Sequence, residues 1–168
     1  LFKPTKVLTF TEENYLKALF KIIFENGTHE AGTNELASVL VVKPATVNDM
    51  LKKLKEKELV EYEKYGKITL TKEGKKNAVN VLRKHRLWET FLYEKFDFSW
   101  DEVHEVAEQL EHIQSTKLVD KLDKFLGYPE FDPHGDPIPN KNGEIKVHFN
   151  KMLSDVTVGK SCKMVAVK

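Results

Sequence analysis

Residues 33–70 read TNELASVLVVKPATVNDMLKKLKEKELVEYEKYGKITL, and this stretch decides the fold. Thr33-Asn34-Glu35-Leu36-Ala37 opens a short helix bearing Leu36, Ala37 and Leu40. After a break at Val41-Val42-Lys43, Pro44 begins a second helix, where its fixed φ and missing N–H are harmless. Val47, Met50, Leu51 and Leu54 then recur at helical spacing and mark the core-facing side of a helix over Pro44–Lys55. Leu59-Val60-Glu61-Tyr62 alternates as a strand, Lys64-Tyr65-Gly66-Lys67 supplies a turn, and Ile68-Thr69-Leu70 is the return strand. Two helices around a tight turn, followed by a hairpin with a Lys- and Tyr-rich tip, are the order of a winged helix-turn-helix. A winged helix that binds protein instead of nucleic acid carries the same pattern, so both readings stand at this point.

Upstream, Thr11 is placed to cap a helix with an acidic first turn, Glu12-Glu13. Tyr15, Leu16, Leu19, Phe20, Ile22 and Ile23 repeat at helical spacing, and Asn26-Gly27 stops the run. Downstream, Thr71 to about Phe96 reads as one long helix. Ser99-Trp100-Asp101-Glu102 forms a box that caps the next, and Ser115-Thr116 restarts a third that ends at Gly127 and Pro129. Residues 132–139 are a Pro-rich loop, and residues 144–168 alternate weakly and read as strands. The fold class is therefore mainly α. Its expected domains are a winged helix-turn-helix over 1–75, a helical domain over 76–140, and a linker with weakly patterned strands over 141–168.

The 168 residues are 40% hydrophobic and 32% charged, enough for one or two modest cores. A net charge of +1 hides a division: residues 1–76 carry +3, residues 77–140 carry −6, and residues 141–168 carry +4. A mildly basic front suits phosphate and an acidic middle suits cations; ordinary variation among solvated faces would read the same way. No apolar run approaches membrane-spanning length, and the single Cys162 offers no internal disulfide, so a reducing cytoplasm is expected and no membrane partner.

The acidic middle holds the chemistry. His104, Glu108, Glu111 and His112 are spaced i, i+4, i+7 and i+8 on one helix face, and His85 pairs with Glu89 at i, i+4 on the long helix. Imidazoles and carboxylates stacked in this way suit a divalent transition metal, although such residues on an exposed face are often merely solvated. His134 in the Pro-rich loop reads as structural or exposed, and His29 and His148 as surface residues. No nucleophile constellation or general-base pairing stands apart from these donors, so the chain is read as a non-enzyme with no small-molecule substrate; a metallohydrolase is the weak alternative. On the Pro44–Lys55 helix, elimination of the apolar stripe leaves Lys43, Ala45, Thr46, Asn48 and Asp49 to face a major groove near the helix N-terminus. Lys53 suits phosphate, and Lys64, Tyr65 and Lys67 are wing contacts.

Lys84-His85-Arg86-Leu87, Val103-His104-Glu105, Glu111-His112, His134-Gly135-Asp136-Pro137-Ile138-Pro139 and the opening Glu13-Asn14-Tyr15-Leu16-Lys17 together resemble the diphtheria-toxin-repressor family of iron- and manganese-dependent bacterial repressors. The resemblance covers about residues 8–160. It implies one metal site of Asn14, Glu108, Glu111 and His112, and a neighbouring site of His85, Glu89 and His104. Glu108 stands where iron-responsive members carry a thiolate, so Mn²⁺ is expected before Fe²⁺. Asn14 replaces the Asp or Met usual at its position, and Lys17 stands where manganese-type members often carry a carboxylate, which implies two separated sites, or one dominant site, and not a tight metal pair. The resemblance further implies a homodimer on double-stranded palindromic operator DNA, repression of metal-uptake genes, and a C-terminal tail that opens an SH3-like domain. A winged-helix regulator with a Zn²⁺ or structural metal site is the alternative.

Overall fold

The computed structural model describes residues 7–63, 66–146 and 155–161. It divides into two compact units, Leu1–Val81 and Leu82–Lys168.

The first unit begins with α1 (Phe10–Glu25), followed by β1 (Ala31–Gly32), α2 (Thr33–Val39), α3 (Pro44–Glu56), β2 (Val60–Tyr62) and β3 (Lys67–Leu70). The three strands form an antiparallel sheet in the order β1-β3-β2. Tyr62 and Ala31 both register against Ile68. Leu16, Leu19, Leu36, Val47, Leu51, Leu54, Val60 and Ile68 are almost completely withdrawn from solvent. This core is the apolar stripe of residues 33–70 closed over by α1. The cap of α1 is Thr9, not Thr11: Thr9 is extended, its Oγ accepts from the Glu12 amide at 3.3 Å, and Glu12 Oε2 accepts from the Thr9 amide at 2.8 Å. The reason lies three residues on, where Thr9 has a glutamate to complete the box and Thr11 has Asn14. Two-residue β1 was not expected, being too short to show any alternation.

Helix α4 (Lys72–Lys95) starts in the first unit, and the division between the units falls within it. Thr71 Oγ accepts from the Gly74 amide at 3.0 Å and donates to the Glu58 carbonyl at 2.8 Å. A Cβ at Gly74 would lie 1.8 Å from the Leu59 carbonyl oxygen, so only glycine lets the helix start meet the base of the hairpin.

The second unit comprises the rest of α4, α5 (Val103–Leu110), α6 (Thr116–Phe125) and the loop that follows. Leu87, Val119, Leu122 and Ile138 form one apolar cluster, and Leu92, Val103 and Ala107 another; Trp88 packs against both. Arg83 ties α4 to α6 through Asp123, 2.7 Å away. Ser115 caps α6 by accepting from the Leu118 amide. Ser99 does not cap α5 directly: its N–H and hydroxyl both donate to Glu102, closing an irregular turn, and the helix starts at Val103. The strands expected over 144–168 do not occur at residues 144–146 or 155–161, which find no pairing partner among the described residues; 147–154 and 162–168, with His148 and Cys162, lie outside them.

Between α2 and α3, Val41 adopts φ +54° and is 90% exposed. The left-handed region costs an L-residue about 1–2 kcal/mol and disfavours β-branched side chains most. Val41→Gly should therefore raise stability by about 1 kcal/mol after the extra chain entropy of glycine is deducted, read as a rise of about 2–4 °C in the thermal midpoint. An unchanged or lowered midpoint would show that this turn stores no strain.

Candidate functional site

α4 and α5 bring three donor atoms together. His85 Nε2 lies 2.9 Å from Glu89 Oε1, His104 Nδ1 lies 3.1 Å from that oxygen, and the two ring nitrogens are 3.1 Å apart. His85 and Glu89 are buried one turn apart on α4, whereas His104 reaches in from α5 with its side chain 54% exposed. Three edges near 3 Å match three adjacent corners of an octahedron whose ligand bonds are about 2.1 Å. The donor set therefore fits a divalent ion on geometry and chemistry alike: two borderline imidazoles and one hard oxygen.

Neighbouring groups orient these donors. Glu111 Oε2 lies 2.6 Å from His85 Nδ1, so a proton on that nitrogen leaves Nε2 as the base turned toward Glu89 and His104. A carboxylate behind an imidazole is the usual support for a metal-binding histidine. Glu111 is completely buried, and His112, also buried, places Nε2 3.8 Å from Glu111 Oε1. His104 Nε2 faces Glu108 at 3.6 Å, with both side chains about half exposed. The two sets that the resemblance separates thus adjoin through His85 and Glu111. Asn14 belongs to the first unit, where its carboxamide oxygen is buried with no hydrogen-bond partner among the described residues.

Burial alone would raise the Glu89 carboxyl. Hydrogen bonds with His104 and His85, with the charges of His85 and His134, outweigh that and hold it well below the usual carboxylate range. It is held ionised, as a ligand must be.

His134, read from the sequence as structural or exposed, turns toward the same carboxylate. Its Nδ1 lies 3.8 Å from Glu89 Oε2 and 4.0 Å from Asp132 Oδ1, and its Nε2 donates to the Trp100 carbonyl at 3.1 Å. These two residues were missed because they sit on a loop more than forty positions from Glu89, beyond any helical periodicity. The available signal was a histidine between two aspartates in a run of prolines. Asp132 organises that loop: Oδ1 accepts from the amides of His134 (2.8 Å) and Asp136 (2.9 Å), and Oδ2 faces Arg86 Nε at 3.5 Å. Arg86 also reaches Asp136 at 3.3 Å and the Pro137 carbonyl at 2.5 Å. Burial pushes the Asp132 carboxyl up to about 6; its bond from the Asp136 amide opposes this, nearby Glu89 adds to it, Arg86 opposes it and Asp136 adds to it. With Oδ1 already accepting two amides, Asp132 is a less available donor than His134.

On the proposed DNA-reading surface, Lys43, Ala45, Thr46, Asp49, Lys53 and Lys67 are exposed. Asp49 pairs with Lys52 at 3.2 Å, and Lys67 with Glu30. Asn48 is half-buried and accepts a hydrogen bond from the Tyr62 hydroxyl. Lys64 and Tyr65 lie outside the described residues.

A helix-turn-helix unit followed by a helical unit with converging imidazoles and carboxylates defines a two-part class of protein, and comparison with known sequences identifies it. The description "Iron dependent repressor, N-terminal DNA binding domain" matches residues 7–68, and "Iron dependent repressor, metal binding and dimerisation domain" matches residues 71–140. The chain is 31% identical over 120 residues to the HTH-type transcriptional regulator MntR of Bacillus velezensis, covering 71% of this chain and 82% of that protein. It is also 31% identical over 132 residues to the iron-dependent repressor IdeR of Mycobacterium tuberculosis, covering 79% of this chain and 56% of IdeR. A solved manganese-dependent transcriptional repressor in complex with manganese is similar at a TM-score of 0.74 and 36% identity, over 87% of this chain and 66% of that one. The chain belongs to the iron-dependent repressor family. It spans little more than half the length of IdeR and just under two thirds of that solved structure.

Glu89 touches every imidazole of the cluster outside His112. Glu89→Gln should weaken Mn²⁺ binding, followed by calorimetry, by more than about tenfold, whereas Glu105→Gln on the exposed side of α5 should leave it unchanged. Equal affinities in both variants would remove Glu89 from the ligand set.

Proposed function

We propose that this chain is a metal-dependent, DNA-binding transcriptional repressor that responds to Mn²⁺ or Fe²⁺ and controls metal-uptake genes. The observation that carries the reading is the convergence of His85, Glu89 and His104, backed by Glu111, in a chain that also carries a winged helix-turn-helix. The ligands proposed are His85, Glu89 and His104 for one ion, and Glu108, Glu111 and His112 with Asn14 for another. Donors of nitrogen and oxygen without a thiolate favour Mn²⁺, a weak competitor by affinity that is selected through geometry. Lys17 disfavours a closely spaced second cation.

Proposed DNA contacts are Lys43, Ala45, Thr46, Asn48 and Asp49 at the start of α3, with Lys53 and the wing residues Lys64, Tyr65 and Lys67. The lysines give affinity with little sequence information. The chain has a DNA-binding and a dimerisation domain; that it acts as a homodimer on a palindromic operator in the cytoplasm is part of the proposal, because a two-fold dimer reads two-fold half-sites. None of the helices in the described residues is long and apolar enough to cross a membrane. The bound ion supplies no reaction. It shifts the equilibrium toward the DNA-competent state by its differential affinity for that state, and each tenfold in DNA affinity requires about 1.4 kcal/mol of coupling.

Titrating palindromic duplex DNA with Mn²⁺, anaerobic Fe²⁺, Zn²⁺ and chelator tests this. Binding should appear with Mn²⁺ and disappear with chelator. In Glu108→Ala and His112→Ala the response to Mn²⁺ should be lost while the circular dichroism spectrum is retained. DNA binding indifferent to metal in all three proteins would leave a winged-helix DNA binder without a metal signal.

A further inference from the structure

We infer that Asn48 is held with its oxygen against the hairpin and its N–H donors toward the groove, and that it therefore selects a keto base, guanine or thymine, at its place in the operator; this rests on the DNA-binding reading above. Asn48 lies on the second turn of α3, just behind the exposed Ala45 and Thr46. Its carboxamide oxygen accepts from the hydroxyl of Tyr62, a buried residue of β2. Seven residues on, along the same side of α3, Lys55 Nζ donates to the Tyr62 backbone carbonyl at 2.8 Å. Two bonds to one tyrosine thus fix both the helix and the amide against the strand.

The chemistry of the groove turns this into a choice of base. A free asparagine reads adenine at two points: its oxygen accepts from N6–H and its nitrogen donates to N7. The oxygen keeps a second lone pair, but the bond from Tyr62 holds it against β2, so the NH2 group is the end of the amide left to meet a base. Guanine offers O6 and N7 and thymine offers O4, all acceptors, whereas the cytosine edge offers an amino donor and adenine sets an amino group beside its N7. Arginine cannot take over this reading: the chain has two arginines, Arg83 and Arg86, and both are buried in α4 against aspartates.

The test is selection from a random duplex library by the full chain loaded with Mn²⁺, run on wild type, Asn48→Asp, Asn48→Ala and Tyr62→Phe. The wild type should enrich guanine or thymine about tenfold at one position of each half-site. Asn48→Asp keeps an oxygen for Tyr62 and turns a second oxygen to the groove, so the same position should invert to adenine or cytosine. Asn48→Ala should flatten it, and Tyr62→Phe should let adenine rise there. A consensus unchanged by Asn48→Asp, or a wild-type adenine lost in Asn48→Ala, would overturn the inference. Enrichment of no DNA by the Mn²⁺-loaded wild type would overturn the DNA-binding reading itself, and this inference with it.

Discussion

The second unit depends on one buried carboxylate. Glu89 is 2% exposed, and an ionised carboxylate in a protein interior carries a desolvation penalty of several kcal/mol unless it is surrounded by compensating groups. Its compensation comes from three directions: His85 on its own helix, His104 from α5, and His134 from the Pro-rich loop. Apolar packing of Leu92 against Val103 and Ala107 holds α4 and α5 together, and the polar contacts around Glu89 choose their register. Arg86 performs the same service for the loop, drawing Asp132, Asp136 and the Pro137 carbonyl onto α4. A divalent cation fits this arrangement because the negative donors are already gathered and one of them is held ionised.

The first unit is organised differently, by apolar closure with a few polar fasteners. Its core is mostly aliphatic, with Tyr15, Phe20 and Tyr62 beside it, and the partly buried Lys57–Glu12 pair joins the end of α3 to the start of α1 at 2.7 Å. Gly74 allows the base of the hairpin and the start of α4 to meet without an intervening side chain. The strained turn at Val41 sits immediately before the segment proposed to enter the groove, where a rigid, non-optimal backbone is often retained for function.

What the sequence shows and what it hides divides along the range of the interactions involved. The helices of residues 33–56, the hairpin and the long α4 are legible because each is written in local periodicity, with Pro44 marking a start and Gly27 a stop at φ +61°. His85 and Glu89 are legible as a pair for the same reason, being one helical turn apart. The cap of α1 was displaced by two residues because two threonines compete and only the reach of Glu12 decides between them. The approach of His134 to Glu89 and the engagement of Asn48 by Tyr62 join residues 45 and 14 positions apart. No spacing rule covers such contacts, since they follow from the way the loop is gathered onto Arg86 and the hairpin folds back onto α3.

The contact of Trp100 with His134, their ring planes tilted by 56°, gives the protein an optical property of its own. The two ring centroids are 4.6 Å apart, and the indole is about half exposed. An imidazole that gains positive charge, from a proton or from a cation at Nδ1, is an efficient quencher of an indole in contact with it. Trp88 packs among apolar side chains of both clusters. Trp100 is therefore placed to report the charge of the loop histidine, while Trp88 lies among the apolar side chains of the core.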